Sequence, residues 1–340
     1  MRVVIVGGGL AGLTLARLLR QRGMEPAVLE REPAGRWLPR PFMLPYHGFD
    51  ALRAASLLDA VRAIGWDIAP DRDGTPVAVA ADFVRVLGLV AHGLAVRHGQ
   101  EVTGLLEEGG RVRGVRARDG GGEREIPADL VVACDGVRSP VRAMAGLAAE
   151  LIPDDGGHLS FMSPTIIDRP FAMAYQSNGR QVGLLGWPEG SAGWWDIDRM
   201  GRDAAMAPGL AAFKRSFARL LPPAAAALEG LTSMDQVVYR EVTEVRCPAW
   251  WRPGVVLIGD AAHFLGPEAG IGAGMGLGDA LALAEAIAEH PADADAACRH
   301  YEHWRGPAVR PYETIGAAGA RPAPRAVAGR PAAERWPPLE

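Results

Sequence analysis

The stretch Arg2–Arg31, RVVIVGGGLAGLTLARLLRQRGMEPAVLER, leaves this chain few choices of fold. Val3-Val4-Ile5-Val6 is wholly apolar, the pattern of a short strand buried on both faces of a parallel sheet. Gly7, Gly9 and Gly12 follow as G-x-G-x-x-G. The first lets the chain turn tightly, the second lets backbone approach a pyrophosphate, and the third lets the next helix pack closely on the strand. That helix carries Leu13, Leu15, Leu18 and Leu19 on its core side and stops at Gly23. Its first turn offers unpaired N–H groups and the positive end of its dipole to an anion. A second strand, Ala27-Val28-Leu29, ends on Glu30, eighteen residues after Gly12, where a carboxylate accepts hydrogen bonds from an adenosine ribose. Strand, helix, strand and acid in register point to a dinucleotide-binding βαβ unit, and the identity of the dinucleotide stays open.

At 340 residues, 49% hydrophobic and 22% charged, the chain suits two domains or one domain with an insertion. A net charge of −4 gives no electrostatic case for nucleic acid or an anionic membrane as partner. No uninterrupted apolar run approaches a membrane span, and the glycine cluster in the apolar start argues against a signal peptide. Cys134, Cys247 and Cys298 are far apart and form no C-x-x-C, so neither a disulfide framework nor a metal site is indicated. A reducing cytoplasm is the simpler compartment.

Along the chain, residues 32–45 read as a Pro- and Arg-rich loop near the dinucleotide site, with Arg31, Arg36 and Arg40 in reach of a phosphate. One helix is expected over Phe49–Ile64 and a shorter one over Asp82–Leu87. Alternating segments at Leu94–Val96, Glu101–Leu106, Val112–Arg118 and Arg124–Ile126 read as a small antiparallel meander. Asp129–Asp135 reads as another buried strand, and Ser139-Pro140 starts a helix. From 151 to 250 the strand–helix alternation is lost: β-like runs at Leu159–Ile167, Phe171–Gln176, Gln181–Trp187 and Gly193–Asp198 precede a helix at Leu210–Leu221. The first style returns with the strand Gly254–Ile258 and helices at Asp279–Glu289 and Asp293–Arg305. The expected fold is therefore α/β: a Rossmann-like domain of residues 1–150 and 251–310, parallel sheet plus meander, interrupted by an antiparallel α+β substrate domain at 151–250. Residues 311–340 form a C-terminal extension, its last twenty an unpacked tail.

Three separated motifs coincide: the G-x-G-x-x-G with Glu30-Arg31, the D-G-x-x-S-x-x-R of Asp135, Gly136, Ser139 and Arg142, and the G-D-A-A-H-x-x-x-P-x-x-G-x-G of Gly259–Gly272. Together they resemble the single-component FAD-dependent aromatic hydroxylases, the para-hydroxybenzoate hydroxylase-like flavoprotein monooxygenases, over about residues 1–310. The resemblance implies that Gly7, Gly9, Ala11 and Gly12 cradle the FAD pyrophosphate, Glu30 holds the adenosine ribose, Arg31 lies along the adenosine and Val102 meets the adenine. It implies that Asp260 holds the ribityl chain, with Gly259 beside it at the cofactor, that Pro267 shapes the loop over the flavin, and that amides at Gly270, Ile271 and Gly272 begin a helix aimed at its pyrimidine edge. Asp135 and Arg142 are implied near the cofactor, assisting the nicotinamide.

The activity so implied is reduction of FAD by NADPH or NADH, capture of O2 as a flavin hydroperoxide, and hydroxylation or epoxidation of an aromatic or polyketide-like small molecule of secondary metabolism. A non-redox FAD-binding protein on the same scaffold, a cyclase or ligand binder, is the alternative. No catalytic base is assigned: Tyr46, His47, His158, Tyr175 and His263 are the titratable candidates. His47, Tyr175, Trp187, Trp194 and Trp195 are candidates to line a substrate pocket. Two positions depart from the family pattern, Ala80 where arginine is usual and Gly274 where asparagine is usual.

Overall fold

The computed structural model describes residues 1–36, 40–68, 76–267 and 270–317. Its centre is a six-stranded sheet ordered Trp251–Arg252, Val255–Leu257, Leu130–Ala133, Val3–Val6, Ala27–Glu30, Val96–His98. All neighbours run parallel except the first pair. The four central runs are almost wholly apolar because helix Leu10–Gln21 and the strands of residues 101–127 pack against them, and Val3–Val6 and Leu130–Ala133 are buried throughout. Helix Leu10–Gln21 packs against the long helix Gly272–Glu289, where Ala11 and the α-carbons of Gly259 and Gly276 meet. The expected meander is present as Glu101–Glu108, Arg111–Asp119 and Gly122–Pro127. The segment around Leu94–Val96 does not join it: Val96–His98 adds to the edge of the central sheet, parallel to Ala27–Glu30.

The helix expected over Phe49–Ile64 is two, Phe49–Ala54 and Leu58–Ala63. Ser56 between them has φ of +57°, a left-handed conformation that ends the first helix and turns the chain so that Leu52, Leu57 and Val61 all reach the core. Asp82 caps the helix Phe83–Ala91, accepting hydrogen bonds from the N–H groups of Val84 and Arg85.

The second sheet is antiparallel, ordered Phe171–Tyr175, Gln181–Trp187, Gly190–Asp198, Glu150–Ser163, Val237–Arg246, His263–Phe264. Strand Val237–Arg246, missed in the sequence, pairs along most of Glu150–Ser163; its run VVYREVTEVR mixes charge into both faces and hides the period of two. Its far neighbour His263–Phe264 comes from the third motif, so the inserted sheet is tied directly to the glycine-rich loop. One face of this sheet packs on helix Leu210–Leu220 through Leu159, Phe161, Val182, Leu184, Trp195 and Ile197 against Phe213 and Phe217. The opposite face turns toward the first domain.

Helix Gly272–Glu289 begins seven residues before Asp279, despite Gly274, Gly276 and Gly278, because close packing on Ala11 and on segment 45–48 outweighs the poor helix propensity of glycine. The last described helix, Ala294–Ala317, continues twelve residues past Arg305 and carries Pro307 and Pro311 within it. The extension thus starts as helix, and the twenty-residue tail lies outside the described residues. No helix among the described residues is long and apolar enough to cross a membrane.

The role of Ser56 is testable. Ser56→Val should lower the unfolding free energy by roughly 1–2 kcal/mol, because a β-branched residue resists positive φ, whereas Ser56→Gly should not. Urea unfolding of the two variants checks this.

Candidate active site

One cavity of about 1600 Å³ runs from the carboxyl ends of the central strands to the inserted sheet. At its first end the wall is backbone. Gly7 has φ of +114°, and a Cβ there would stand 2.3 Å from the Cys134 carbonyl oxygen. A Cβ on Gly12 would meet the Gly7 carbonyl at 2.3 Å and Cys134 Sγ at 2.5 Å, so this glycine serves helix packing and does not line the cavity. A Cβ on Gly9, by contrast, meets nothing within 4 Å and would project into open space at the helix start. Gly9 and Ala11 line the cavity, so this is a cradle that a side chain would fill.

Glu30 stands in the wall with both oxygens anchored: Gly8 N–H donates to Oε2 at 2.7 Å and Glu32 N–H to Oε1 at 2.8 Å. The carboxylate is thereby fixed with lone pairs to spare for a diol. Arg31, Gln100, Val102, Thr103 and Arg118 complete this end. Asp135 also lines the cavity; Val141 N–H donates to Oδ2 at 3.1 Å, while Oδ1 is buried without a partner among the described residues. Burial pushes its carboxyl above the usual range, against the hydrogen bonds of Ser139 and Val141 and the charge of Arg142. A buried, unpaired carboxyl oxygen at a cavity wall suits a hydroxyl-bearing ligand. These features fit a dinucleotide bound along its phosphates and sugars.

Arg142, expected beside the cofactor, is itself buried and donates to the carbonyls of Ala261 (2.8 Å) and Val137 (2.9 Å). It joins the second motif to the third instead of facing the cavity. In the third motif Gly259, Asp260, Pro267, Gly270, Ile271 and Gly272 all line the cavity, and the helix from Gly272 points its amino end inward. Burial raises the Asp260 carboxyl, with the charges of Arg40 and His263 opposing. Arg40 stands over the Phe83 ring at 3.8 Å.

Ala80 is fully buried between the first domain and the inserted sheet, in a cluster with Leu185 and Trp187. Arg40, from the preceding loop, lines the cavity together with Arg31 and Arg118. Gly274 is forced: a Cβ there would lie 2.8 Å from Pro45 and 3.1 Å from the His47 Cβ.

His263 does not face the cavity. Its Nε2 lies 2.7 Å from Asp279 Oδ2, which also accepts from Gly259 N–H (2.8 Å), while Arg305 Nε donates to Oδ1 (3.0 Å). Burial alone would raise the fully buried Asp279; His263, Arg305 and the Gly259 N–H outweigh it and hold the carboxyl at about 2. This bracing acid lies past the third motif, at the position where the residue pattern alone predicts a helix to start.

At the substrate end the strand period sorts the candidates. Tyr175 and Trp194 line the cavity. Trp195, one residue on, points to the other face, where it packs on Phe213 and Phe217. Trp187 is buried in the cluster with Ile68, Ala78 and Ala80 that joins the two domains. His47 sits behind Tyr46, stacked on it with ring centroids 4.0 Å apart, and burial followed by the charge of Arg305 lowers its pKa to about 4. Its partner Tyr312 and Tyr46 line the cavity, but His47 does not. Sequence reasoning missed Phe171, Met173, Leu185 and Tyr312 in the wall, apolar or aromatic residues with no motif to mark them.

The profile of the FAD binding domain family matches residues 1–69 and 85–313. The chain is 29% identical over 294 residues to 6-methylpretetramide 4-monooxygenase of Streptomyces rimosus, covering 78% of this chain and 70% of that protein. It is 26% identical over 342 residues to 3-amino-4-hydroxybenzoate 2-monooxygenase of Streptomyces cremeus, covering 90% and 84%. The fold superposes on the crystal structure of PqsL from Pseudomonas aeruginosa with a TM-score of 0.80 at 21% identity, over 94% of this chain and 95% of that one.

Two outcomes follow from this geometry. Gly9→Val should leave the far-ultraviolet spectrum and melting temperature near wild type while abolishing dinucleotide binding; Gly12→Val should instead destabilise the fold, by about 3 kcal/mol or more for overpacking against backbone. Asp279→Asn should cost about 3 kcal/mol at neutral pH by breaking the buried pair. Because the folded carboxyl lies below its ordinary 3.8, that contribution is complete above 3.8 and disappears as the pH falls to about 2. Urea unfolding at stepped pH should show the gap between variant and wild type closing over that window.

Proposed function

This chain belongs to the FAD binding domain family, the para-hydroxybenzoate hydroxylase-like flavoprotein monooxygenases, and we propose that it hydroxylates a small aromatic or polyketide-like molecule held beneath the inserted sheet. The observation that carries this reading is the continuity of one cavity from the glycine cradle to the Trp194 wall. A dinucleotide laid along Gly9, Glu30 and Val102 and turning at Asp260 would bring its far end to the amino end of helix Gly272–Glu289, next to the apolar wall. FAD held by Gly9, Glu30 and Asp260 would supply the redox chemistry, acceptance of hydride from NADPH or NADH and transfer of one oxygen atom of O2 to an electron-rich ring.

The protein's own contributions are binding, orientation and exclusion of water. The Gly9 and Ala11 amides would meet the phosphates at a helix start, where the dipole favours negative charge. Glu30 would accept from ribose hydroxyls, Arg31 would lie along the adenosine, and Asp260 would accept from the sugar-alcohol chain. The amides of Gly270, Ile271 and Gly272 would oppose the charge that develops on the ring upon reduction. Pro267 would hold the turn that leads into them. Phe171, Met173, Leu185 and Trp194 would give the substrate an apolar bed and keep bulk water from the reacting atoms. The names of the two Streptomyces relatives, a pretetramide and an aminohydroxybenzoate oxygenase, support a hydroxylated aromatic ring as the substrate class.

The test is a visible spectrum of the purified protein, followed by anaerobic NADPH and then NADH. A flavin spectrum that bleaches, and returns when air is admitted, is expected. A protein that carries flavin but bleaches with neither nucleotide, with and without aromatic candidates, would favour the non-redox alternative. Asp260→Ala should release the flavin or weaken its binding at least tenfold, and full occupancy in that variant would remove the sugar-chain assignment.

A further inference from the structure

We propose that His158 and Asp196 form a proton-accepting dyad at the substrate end of the cavity, and that the site takes rings bearing an acidic hydroxyl, such as phenols, naphthols or hydroxylated heteroaromatics. The proposal rests on the oxygenase reading above and deepens it by assigning the base.

The two residues face each other in register across strands Glu150–Ser163 and Gly190–Asp198. His158 Nδ1 lies 2.7 Å from Asp196 Oδ1. Asp196 is completely buried, and its Oδ2 has no partner among the described residues. A buried carboxylate left short of hydrogen bonds is costly, so it holds the imidazole in the tautomer that donates from Nδ1. Nε2 is then an acceptor; among the described residues nothing hydrogen-bonds to it, and His158 lines the cavity. Trp194, two residues from Asp196 on the same face, and Tyr175 and Gln181 share that wall.

The other acids on this wall are already paired. Arg180 donates to Asp154 at 3.1 Å, and Arg246 donates to Glu244 at 2.6 Å. Arg240, the register partner of His158 on Val237–Arg246, donates to Ser160 Oγ at 3.4 Å. Among the described residues Asp196 has no arginine within ion-pair distance, and its ion partner is His158. A cation forming on His158 therefore meets a carboxylate held ready for it.

In the proposed step the ring O–H bond breaks, the proton moves to His158 Nε2 and the electron pair stays on oxygen. The resulting phenolate is richer in electrons at its ortho and para carbons, which is the electron supply that oxygen-atom transfer to the ring requires. His158 returns its proton to the ring oxygen as the hydroxylated carbon loses its own hydrogen as a proton to solvent and aromaticity is restored. Asp196 orients the imidazole through Nδ1 and acts as a positioning residue.

The test uses the FAD-loaded protein without nicotinamide, so that no turnover occurs. Umbelliferone and para-nitrophenol, whose neutral and ionised forms have distinct spectra, are added at a pH below their own ionisation, with their methyl ethers as controls that carry no proton. Wild type should raise the ionised fraction of bound phenol by about tenfold or more. His158→Gln should abolish that rise while binding the ethers within about twofold of wild type, and Asp196→Asn should reduce it with the same ether affinity. Flavin content of each variant reports its fold. The proposal is overturned if wild type ionises neither phenol or if His158→Gln ionises them equally. Nicotinamide oxidation is measured separately: ionisation in a protein that never oxidises NADPH or NADH would retain the dyad and reject the oxygenase reading.

Discussion

The buried carboxylate of Asp279 is the interaction on which the site's architecture depends. It receives Gly259 N–H, His263 and Arg305 at once, and so fixes both ends of the Gly259–His263 turn to the long helix and that helix to the last one. A fully buried acid is tolerated only when its hydrogen-bonding capacity is met, and three donors meet it here. Asp260, which lies between the pinned ends, is thereby left free to line the cavity. Arg142 adds a second tie, from the Ser139-capped helix to the Ala261 carbonyl, so that the three sequence motifs converge on one turn. Since His263–Phe264 also pairs with Val237–Arg246, the same turn sets where the inserted sheet stands over the first domain.

Most of the first domain was legible in the sequence because its signals are local and redundant. Four apolar residues, three glycines and an acid occur at spacings that only a strand–turn–helix–strand unit satisfies. The breaks in legibility have physical causes. Ser56 carries no mark of positive φ, so two helices read as one. Val237–Arg246 hides its strand because its exposed and buried positions alternate imperfectly at a sheet interior shared by two neighbours. The start of helix Gly272–Glu289 runs against propensity and is decided by tertiary packing, so the residue pattern places it at Asp279 and only the family resemblance places it at Gly270–Gly272.

Within the glycines, the structure separates two demands that the motif merges. Gly7 and Gly12 are fixed by their neighbours, Cys134 and each other, and would be needed with no ligand at all. A side chain on Gly9 would meet no described residue and would project into the cavity, so what calls for a small residue there is something that enters it. The same distinction applies to the departures from the family pattern. Gly274 is small because Pro45 and His47 occupy the space, and Ala80 because the two domains close over it.

This difference explains why the cofactor end is readable and the substrate end is not. Where the cavity wall is backbone, its shape depends on residues that must be small or must turn, and those leave a spacing in the sequence. Where the wall is the face of an antiparallel sheet, every second side chain contributes and any of many residues satisfies the fold. Trp194 and Trp195 are neighbours of the same type, yet one lines the cavity and the other fills a core with Phe213 and Phe217. Register alone decides between them, and register is a property of the paired strands. His158 and Asp196 are thirty-eight residues apart and meet only because their strands pair in that register, so a base assembled across a sheet is visible only once the sheet is built.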